Sequence, residues 1–330
     1  MSDSQNKYLS GISAVVPVFG SAGTIEVMVD RVSSALSGTG QSYELILVND
    51  GSVDRSWETI TRLVRSRPWL RGISLMRNYG QHNALLCGVR AARFDKIVTL
   101  DDDLQYDPED IPRLLDKLDE GHDVVYGKER ERHHTTGHNI GSALLRLGLS
   151  VALGAEIAKI ASPFCLFRTS LRETFEHNRS PWVILDVFLC WGTTKFAAVD
   201  VGHHDPIGNG KTRYTMLKRA SVAFDLITGF STLPLKFASL IGFFFTLFGM
   251  GLLTYVLGVH FLIGASVPGW VFLASTISIF SGAQLFALGI IGEYLARMFT
   301  RIMERPAYAV AEETESPDAA ATIRDRECAT

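Results

Sequence analysis

FDKIVTLDDDLQYDPEDIP, residues 94 to 112, combines a short apolar run, three consecutive aspartates and the start of a helix. The apolar run KIVTL predicts a buried strand. Asp107 and Pro108 then provide the N-cap and first-turn signals of a helix over residues 108 to 120. We therefore expect the three aspartates to lie at the carboxyl end of a strand, where parallel sheets bind their ligands.

The same alternation of apolar runs and amphipathic stretches extends from residue 12 to residue 126. Apolar runs occur at ISAVVPVF, ELILV, RGISLM and DVVYG, and helical patterns occur near 24 to 36, 54 to 66 and in QHNALLCGVRAA. Apolar strands separated by helices predict a parallel sheet that is covered on both faces. The predicted fold class is α/β, with a doubly wound, mostly parallel sheet.

Composition excludes several classes of protein. The chain has 330 residues, 47% of them hydrophobic, and a net charge of only -3, so it lacks the charge to wrap nucleic acid. There is no GxGxxG and no GxxxxGK[ST] motif, which argues against a dinucleotide-dependent dehydrogenase and a P-loop NTPase. The scattered cysteines and histidines lack the partners of a zinc site, His203 and His204 included.

The segment from Phe237 to Gly292 contains no Lys, Arg, Asp or Glu. It predicts two transmembrane helices, about 237–263 and 268–291, each long enough to cross a hydrocarbon layer of about 30 Å. The alternative is a buried helical hairpin, which needs a larger surrounding core than the rest of the chain offers. Residues 215–236 predict an amphipathic helix, either on the inner leaflet or packed on the α/β domain that precedes it. We expect residues 293–330 to form a cytoplasmic tail that is disordered after about residue 311.

Basic residues indicate the orientation of the two spans. They flank the pair on both sides and are absent from the turn between the spans, so the positive-inside rule predicts that both ends are cytoplasmic. The polar N-terminus lacks the apolar core of a signal peptide, so residues 1–214 are expected to be a cytoplasmic domain. The chain is thus predicted to be a multi-pass membrane protein with both ends in the cytoplasm.

Three adjacent aspartates at a strand end require a cation or a proton to offset their mutual repulsion. If residues 101 to 105 are extended, Asp101, Asp103 and Gln105 lie on one face, and their oxygens suit Mg²⁺ or Mn²⁺. Such a metal stabilises a departing nucleotide diphosphate. The alternative is an acidic turn that caps the next helix.

Two other strand ends carry polar residues with two possible roles. Asp50 could accept hydrogen bonds from a nucleobase or ribose, or the turn that it begins could simply cap the next helix through Ser52 or Asp54. Arg77 and the helix beginning near Gln81 could bind a phosphate, or could be a surface arginine and an ordinary helix start.

Taken together, four motifs resemble the inverting glycosyltransferases of family 2, which have the GT-A fold: VPVF at 16–19, VNDGSVD at 48–54, RNYGQHNALLCG at 77–88 and DDDLQYDPEDIP at 101–112. GKTRY at 210–214, FSTLPLK at 230–236 and GEYLARMFTRIMERPAY at 292–308 narrow the resemblance to the polyprenyl-phosphate glycosyltransferases. Three positions depart from the family pattern, one of them Ile207, which stands where an arginine is common. Gly20-Ser21-Ala22 follows Phe19, and Ser162-Pro163 stands where relatives often carry an acidic residue.

The resemblance implies a nucleotide sugar donor (a UDP-hexose), a polyprenyl phosphate acceptor, membrane lipid as a partner and a homo-oligomer, a tetramer in the family. It implies catalytic roles for Asp101 and Asp103, with a metal on Asp101, Asp103 and Gln105. Nucleotide contacts are implied at Pro17, Phe19, Asp50, Ser52, Arg77 and Asp102, and lipid-phosphate contacts at Lys211, Arg213 and Tyr214. The alternative function is a membrane-tethered protein that binds nucleotide sugars without turnover.

A phosphate acceptor also changes what the protein must supply. A phosphate monoester has a second pKa of about 6, so it is largely dianionic at neutral pH and carries its own nucleophilic oxygen. We therefore predict that no single Asp, Glu or His other than Asp50 and residues 101–103 is indispensable as a base.

Overall fold

The structure is a computed structural model that describes residues 8–129, 148–150, 152–178, 180, 182–204, 228–229, 231–263, 269–303 and 305–316. The chain divides into two compact units. One comprises residues 1–137, 153–213 and 304–330, and the other comprises residues 138–152 and 214–303.

The first unit is built on an eight-stranded sheet with the strand order β7-β5-β6-β4-β1-β2-β3-β8. Its strands are β1 (Leu9–Val18), β2 (Tyr43–Asn49), β3 (Leu70–Leu75), β4 (Phe94–Thr99), β5 (Val124–Glu129), β6 (Cys165–Arg168), β7 (Phe196–Val201) and β8 (Val310–Glu315). The α-helices that the structure describes in this unit are α1 (Ile25–Gly38), α2 (Ser56–Val64), α3 (Gln81–Ala91), α4 (Ile111–Asp119) and α5 (Leu185–Gly192).

The predicted parallel core of the sheet is confirmed. Strand β1 pairs in parallel with β2 and β4, and β2 pairs in parallel with β3. Val18 is opposite Asn49, and Asn49 is opposite Ser74, so these strands end at the same edge of the sheet. Strand β6 is antiparallel to β4 and β5, and β8 is antiparallel to β3, which makes the sheet mixed.

Both faces of the sheet are buried because alternate strand residues point to opposite sides. Val16 of β1 packs in one hydrophobic cluster with Met28 of α1, whereas its neighbour Val15 packs in the other with Leu86 of α3. All four side chains are fully buried. Each contributes about 1.5–3 kcal/mol of burial energy, which explains why the continuous apolar run of β1 forms a central strand.

The expectation of disorder after residue 311 is wrong for residues 311 to 315. They belong to β8, which forms the edge of the sheet beside β3. VAEETE is polar and exposed in its middle, so its sequence lacks the apolar alternation that marks a strand. Backbone pairing with β3 stabilises it instead. Residues from 317 onward lie outside the described residues.

The second unit contains two long apolar helices, α6 (Leu233–Ile263) and α7 (Gly269–Ile302). Each includes a window long and apolar enough to cross a membrane, Leu233–Leu252 and Ile279–Thr300. Only 6% of the first window and none of the second is buried. The two helices pack closely where Gly249 faces Phe280, since a Cβ at Gly249 would lie 2.8 Å from the Phe280 ring.

Both helices extend beyond the predicted spans. Helix α6 begins four residues before Phe237, and α7 continues through Glu293 and Arg297, whose side chains form an ion pair of 2.8 Å. The amphipathic helix predicted at 215–236 falls largely outside the described residues.

Candidate active site

A cleft of about 280 Å³ lies at the carboxyl ends of the parallel strands. Six of the predicted site residues line it, namely Pro17, Phe19, Asp50, Asp101, Asp102 and Asp103, together with Val18, Asn78, Gly80 and Gln81. Parallel strands bring these residues together because β1, β2 and β4 are neighbours in the sheet and end at the same edge. Of the residues predicted to bind nucleotide or metal, Ser52, Arg77 and Gln105 are not among those that line the cleft.

Asp50 is buried and holds two loops together. Its Oδ1 accepts a hydrogen bond of 2.7 Å from the backbone N–H of Tyr79, and its Oδ2 accepts one of 2.9 Å from the N–H of Gly80. Burial raises the pKa of Asp50, and the two backbone hydrogen bonds oppose that rise. Asp50 therefore fixes the cleft wall just before α3, whether or not it also contacts a ligand.

Gly51, the next residue, explains why this turn contains glycine. Its φ is +64°, and a Cβ would lie 2.5 Å from the Asn78 nitrogen and against the Arg77 carbonyl carbon. A side chain would therefore push the two loops apart as well as strain the backbone.

The turn after β1 is held by residues of the β2–α2 connection. The Gly20 N–H donates to the Ser52 hydroxyl at 3.1 Å, and the Ala22 N–H donates to the Asp54 carboxylate at 3.2 Å. Ser52, predicted to bind nucleotide, thus supports the turn that presents Phe19 to the cleft. Phe19 itself is 55% exposed, which leaves its ring free to contact a ligand.

Asp102 is the aspartate most engaged by the protein. Its Oδ2 accepts hydrogen bonds from the Phe19 N–H at 3.2 Å and from the Ser21 hydroxyl. Burial raises the pKa of Asp102, while the Ser21 hydrogen bond lowers it. Ser21, at a position where the sequence departs from the family pattern, therefore contacts the aspartate cluster directly.

Asp101 and Asp103 are less constrained. The Gln81 side-chain amide donates to Asp101 Oδ1 at 2.6 Å, and the Gln105 N–H donates to Asp103 Oδ1 at 3.1 Å. Burial, followed by the charges of Asp103 and Asp102, raises the pKa of Asp101 to about 7. No ion pair joins Asp101, Asp102 or Asp103 to a Lys, Arg or His within the part of the chain that the structure describes. The cluster therefore carries unbalanced negative charge.

The assumption that residues 101 to 105 are extended is wrong. Leu104 has a φ of +53° and is buried, so the chain turns after Asp103 and the strand alternation is lost. Gln105 then lies beyond the turn, and its backbone carbonyl accepts a hydrogen bond of 2.8 Å from the His204 N–H. Gln81, on the first turn of α3, is the amide that reaches Asp101. The sequence signal for Gln81 was its position directly after a strand-end loop.

The donor set nevertheless fits a divalent metal. Within the described ranges, no group of three or more His, Cys, Asp and Glu side chains is arranged as a complete metal site. Mg²⁺ and similar ions are commonly held by one or two carboxylates plus substrate phosphates and water, rather than by an all-protein cage. Asp101 and Asp103 provide two such carboxylates, and a cation would offset the burial and neighbouring negative charge that raise the pKa of Asp101.

Arg77 lies outside the cleft lining. It is exposed, and its guanidinium stacks 4.7 Å from the centre of the Tyr79 ring. The stacking orients Arg77 beside the loop that Asp50 holds, but no contact in the structure assigns it to a phosphate.

The chain that leads toward the predicted acceptor segment runs beside the aspartate turn. His203 forms an antiparallel bridge with Tyr106, and their rings are 5.2 Å apart. The Gly202 N–H donates to Asp110 at 2.9 Å. Sequence reasoning considered His203 and His204 only as zinc ligands and missed this bridge. Lys211, Arg213 and Tyr214 themselves lie outside the described residues.

Two further acidic residues of this domain, Glu156 and Asp186, do not line the cleft. Glu156 is exposed and pairs with Lys159 at 2.8 Å. Asp186 lies in a buried polar group, where it accepts a hydrogen bond of 2.9 Å from the Tyr126 hydroxyl. Burial raises its pKa, and the nearby His82 lowers it. Ser162, at the position where relatives often carry an acid, is hydrogen-bonded to the backbone carbonyls of Gly127 and Phe164 at 2.7 and 2.9 Å.

The Glycosyl transferase family 2 model matches residues 13–174 of this chain. The undecaprenyl-phosphate 4-deoxy-4-formamido-L-arabinose transferase of Shewanella sediminis (strain HAW-EB3) is 33% identical over 92% of this chain and 93% of its own length. The enzyme of the same name from Yersinia enterocolitica is 32% identical over 95% of this chain and 98% of its own length.

Among solved structures, glucosyl-3-phosphoglycerate synthase from Mycobacterium tuberculosis, in complex with Mn²⁺ and uridine-diphosphate-glucose, is 20% identical, with a TM-score of 0.46. The match covers 66% of this chain and 77% of that chain. The family match and the mostly parallel sheet confirm the predicted GT-A fold, and the two apolar helices accompany it at the C-terminal end. The two relatives are more than 30% identical to this chain over nearly its whole length, and the family model matches its first half. The protein therefore belongs to the family 2 glycosyltransferases.

Proposed function

We propose that this protein transfers a sugar from a nucleotide diphosphate sugar to a polyprenyl phosphate at the cytoplasmic face of a bacterial inner membrane, with inversion at the anomeric carbon. The observation that carries the proposal is the acidic cleft at the strand ends, where Asp101 and Asp103 face a space bounded by Phe19 and the start of α3. The donor is proposed to be a UDP-hexose.

The cleft supplies groups for each part of the donor. The exposed ring of Phe19 offers a flat surface for a base, and the loop held by Asp50 contributes Asn78 and Gly80 to the cleft lining. Asp101 and Asp103 would hold Mg²⁺ or Mn²⁺, which stabilises the charge on a departing nucleotide diphosphate. The hydrogen bonds of Asp102 with Phe19 and Ser21 hold the turn that carries the other two carboxylates.

The acceptor chemistry agrees with the absence of a base among the described residues that line the cleft, apart from the aspartates already named. The acceptor oxygen is already ionised, so the protein must align it in line with the departing diphosphate rather than remove a proton. Lys211, Arg213 and Tyr214 are proposed to hold the lipid phosphate through charge-assisted hydrogen bonds. Replacing Lys211 or Arg213 by Ala should raise the KM for the lipid about tenfold or more, with little change for the donor. Equal effects on both substrates would move these residues away from the acceptor.

Strand topology supports two membrane crossings. Strand β8 follows α7 in the sequence, yet it pairs with β3, and the other seven strands of that sheet all precede α6 in the sequence. If α6 and α7 cross a membrane, β8 must lie on the same side of that membrane as β3, because the two strands are paired. Two crossings return the chain to that side. Lys236 near the start of α6, Arg297 near the end of α7 and Arg305 just after it favour the cytoplasmic side for both ends. Both helices expose apolar side chains over a large surface. Contact with lipid would remove that surface from water. Assembly into a homo-oligomer stays a prediction.

The test is transfer of label from nucleotide sugars to undecaprenyl phosphate by the detergent-purified chain. We expect transfer with Mn²⁺ or Mg²⁺ and none in EDTA. Asp103→Asn should reduce turnover by about a hundredfold or more, because it removes a charged ligand of the metal. Asp119→Asn is the matched control, since Asp119 is exposed at the end of α4. Transfer that persists in EDTA, or full activity of Asp103→Asn, would refute the metal role. Metal-dependent nucleotide binding without transfer would favour the tethered binding protein.

A further inference from the structure

Strand β8 belongs to the catalytic sheet, although it follows the two long helices α6 and α7 in the sequence. Its residues follow α7 and pair with β3 in antiparallel register, from Leu75 opposite Val310 to Arg71 opposite Glu315. Strand β3 would otherwise be the edge of the sheet beside the cleft. The segment after the two apolar helices therefore completes the catalytic sheet.

Side chains fasten this strand at two points. Trp57 of α2 donates its indole N–H to Glu312 at 3.0 Å. Arg93 binds both carboxylate oxygens of Glu315, at 2.5 and 3.0 Å. These contacts are specific because the bidentate geometry fits an arginine with a carboxylate in one register.

Packing under β8 is equally close. Gly72, in the middle of β3, has no room for a Cβ, which would lie 2.9 Å from the Thr314 side chain and 2.6 Å from Ile60. The strand is therefore seated against β3 and α2 along its length, although most of its own side chains are exposed or half-buried.

The pairing continues past β3 into the wall of the cleft. The Met76 N–H donates to the Ala309 carbonyl at 2.9 Å. Met76 is the first residue of the loop MRNYG, residues 76–80, whose Tyr79 and Gly80 N–H groups bind Asp50. One end of this loop is thus held by Ala309, the residue before β8, and the other end by Asp50.

We propose that residues 309–316 are a positioning element for the donor side of the cleft: they hold the 76–80 loop in the conformation that meets Asp50. Donor binding then depends on residues 309–316, which follow both long helices in the sequence. Only the identity of the ligand, a nucleotide diphosphate, rests on the proposed function; the positioning of the loop does not.

Hydrogen exchange tests the positioning directly and requires no activity. The matched pair is a chain that ends at Tyr308, which lacks β8, and a chain that ends at Ser316, which keeps it. We expect amides of residues 76–80 to exchange about tenfold faster or more in the shorter chain, while β1 and β4 exchange unchanged. Equal exchange of the loop in the two chains would overturn the proposal.

A full-length variant with two substitutions provides the same test if the shorter chain does not fold. Glu312→Ala combined with Glu315→Ala removes both fastenings and leaves the backbone of β8 intact. We expect exchange in residues 76–80 to rise about threefold, because fastening by side chains limits local opening. Unchanged exchange in this full-length variant would also contradict the proposal.

Equilibrium binding of UDP with Mn²⁺ links the loop to the donor. Relative to the chain that ends at Ser316, we expect about tenfold weaker binding by the chain that ends at Tyr308, or by the double variant if that chain does not fold. Equal affinity with a loosened loop would refute the link to the donor. If the full chain binds no UDP, the proposed donor is wrong, and the hydrogen-exchange result still decides whether β8 positions the loop.

Discussion

Replacing Gly51 with Ala tests whether the contact between the Asp50 turn and the 76–80 loop shapes the cleft. The new Cβ would lie 2.5 Å from the Asn78 nitrogen, whereas ordinary contact begins at 3.4 Å. The two loops must therefore separate by roughly 1 Å, a shift comparable with the margin of a hydrogen bond. The bonds at risk are those from Tyr79 and Gly80 to Asp50, at 2.7 and 2.9 Å.

The magnitude follows from two contributions. A positive φ costs an alanine about 1–2 kcal/mol relative to glycine. Losing one hydrogen bond to a charged group costs about 1.5–3 kcal/mol more. Gly51→Ala should therefore destabilise the catalytic domain by about 2.5–5 kcal/mol. Gly40→Ala is the matched control, because Gly40 has a φ of +68° and no atom lies within 4 Å of the position that its Cβ would take. It should cost only about 1–2 kcal/mol.

Urea unfolding followed by tryptophan fluorescence measures both variants, and binding of UDP with Mn²⁺ reports on the cleft. We expect Gly51→Ala to bind UDP at least about tenfold more weakly than Gly40→Ala. If the two variants have the same stability and the same affinity, the contact between the loops does not shape the cleft.

Three further predictions test separate features of the molecule. Asp50→Asn should weaken UDP binding about tenfold or more, because an amide nitrogen would face a backbone N–H; unchanged affinity would show that the pair of hydrogen bonds is dispensable. Glu156→Gln should leave turnover unchanged and Asp186→Asn should lower it less than about tenfold. Loss of turnover in either, with both substrates still bound, would reveal a protein base. The third concerns pH. The Arg93 hydrogen bond and charge lower the pKa of Glu315 below its ordinary 4.5, so its contribution to stability is present above pH 4.5 and disappears as pH falls through the lowered value. Glu315→Gln should cost about 1 kcal/mol or less at pH 7 and nothing at acid pH; a constant difference in urea stability across that range would contradict the ion pair.

The parallel half of the fold could be predicted because its signals are local. Strands β1 and β2 contain the apolar runs AVVPV and LILV, and the first aspartate comes two residues after the end of β4 at Thr99. Strand β8 could not, because VAEETE gains its stability from β3, Trp57 and Arg93, which are distant in sequence. Pairing between segments on opposite sides of two long helices leaves no local pattern.

The candidate site was predictable in its residues more than in its geometry. Strand order placed Phe19, Asp50 and the aspartates together as expected. The turn at Leu104 was not visible, because a non-glycine residue with a positive φ has no reliable sequence signature. That turn moves Gln105 away from Asp101 and leaves Gln81 as the neighbouring amide.

The most direct test of the central claim compares undecaprenyl phosphate with undecaprenol as acceptors for labelled UDP-sugars with Mn²⁺. The mechanism assigns the nucleophile to the phosphate oxygen, so we expect a labelled, mild-acid-labile lipid from undecaprenyl phosphate and no product from undecaprenol. Mass spectrometry should identify that product as a sugar–phosphate diester. Transfer to undecaprenol, or UDP-sugar binding with no labelled lipid from either acceptor, would contradict the proposed reaction.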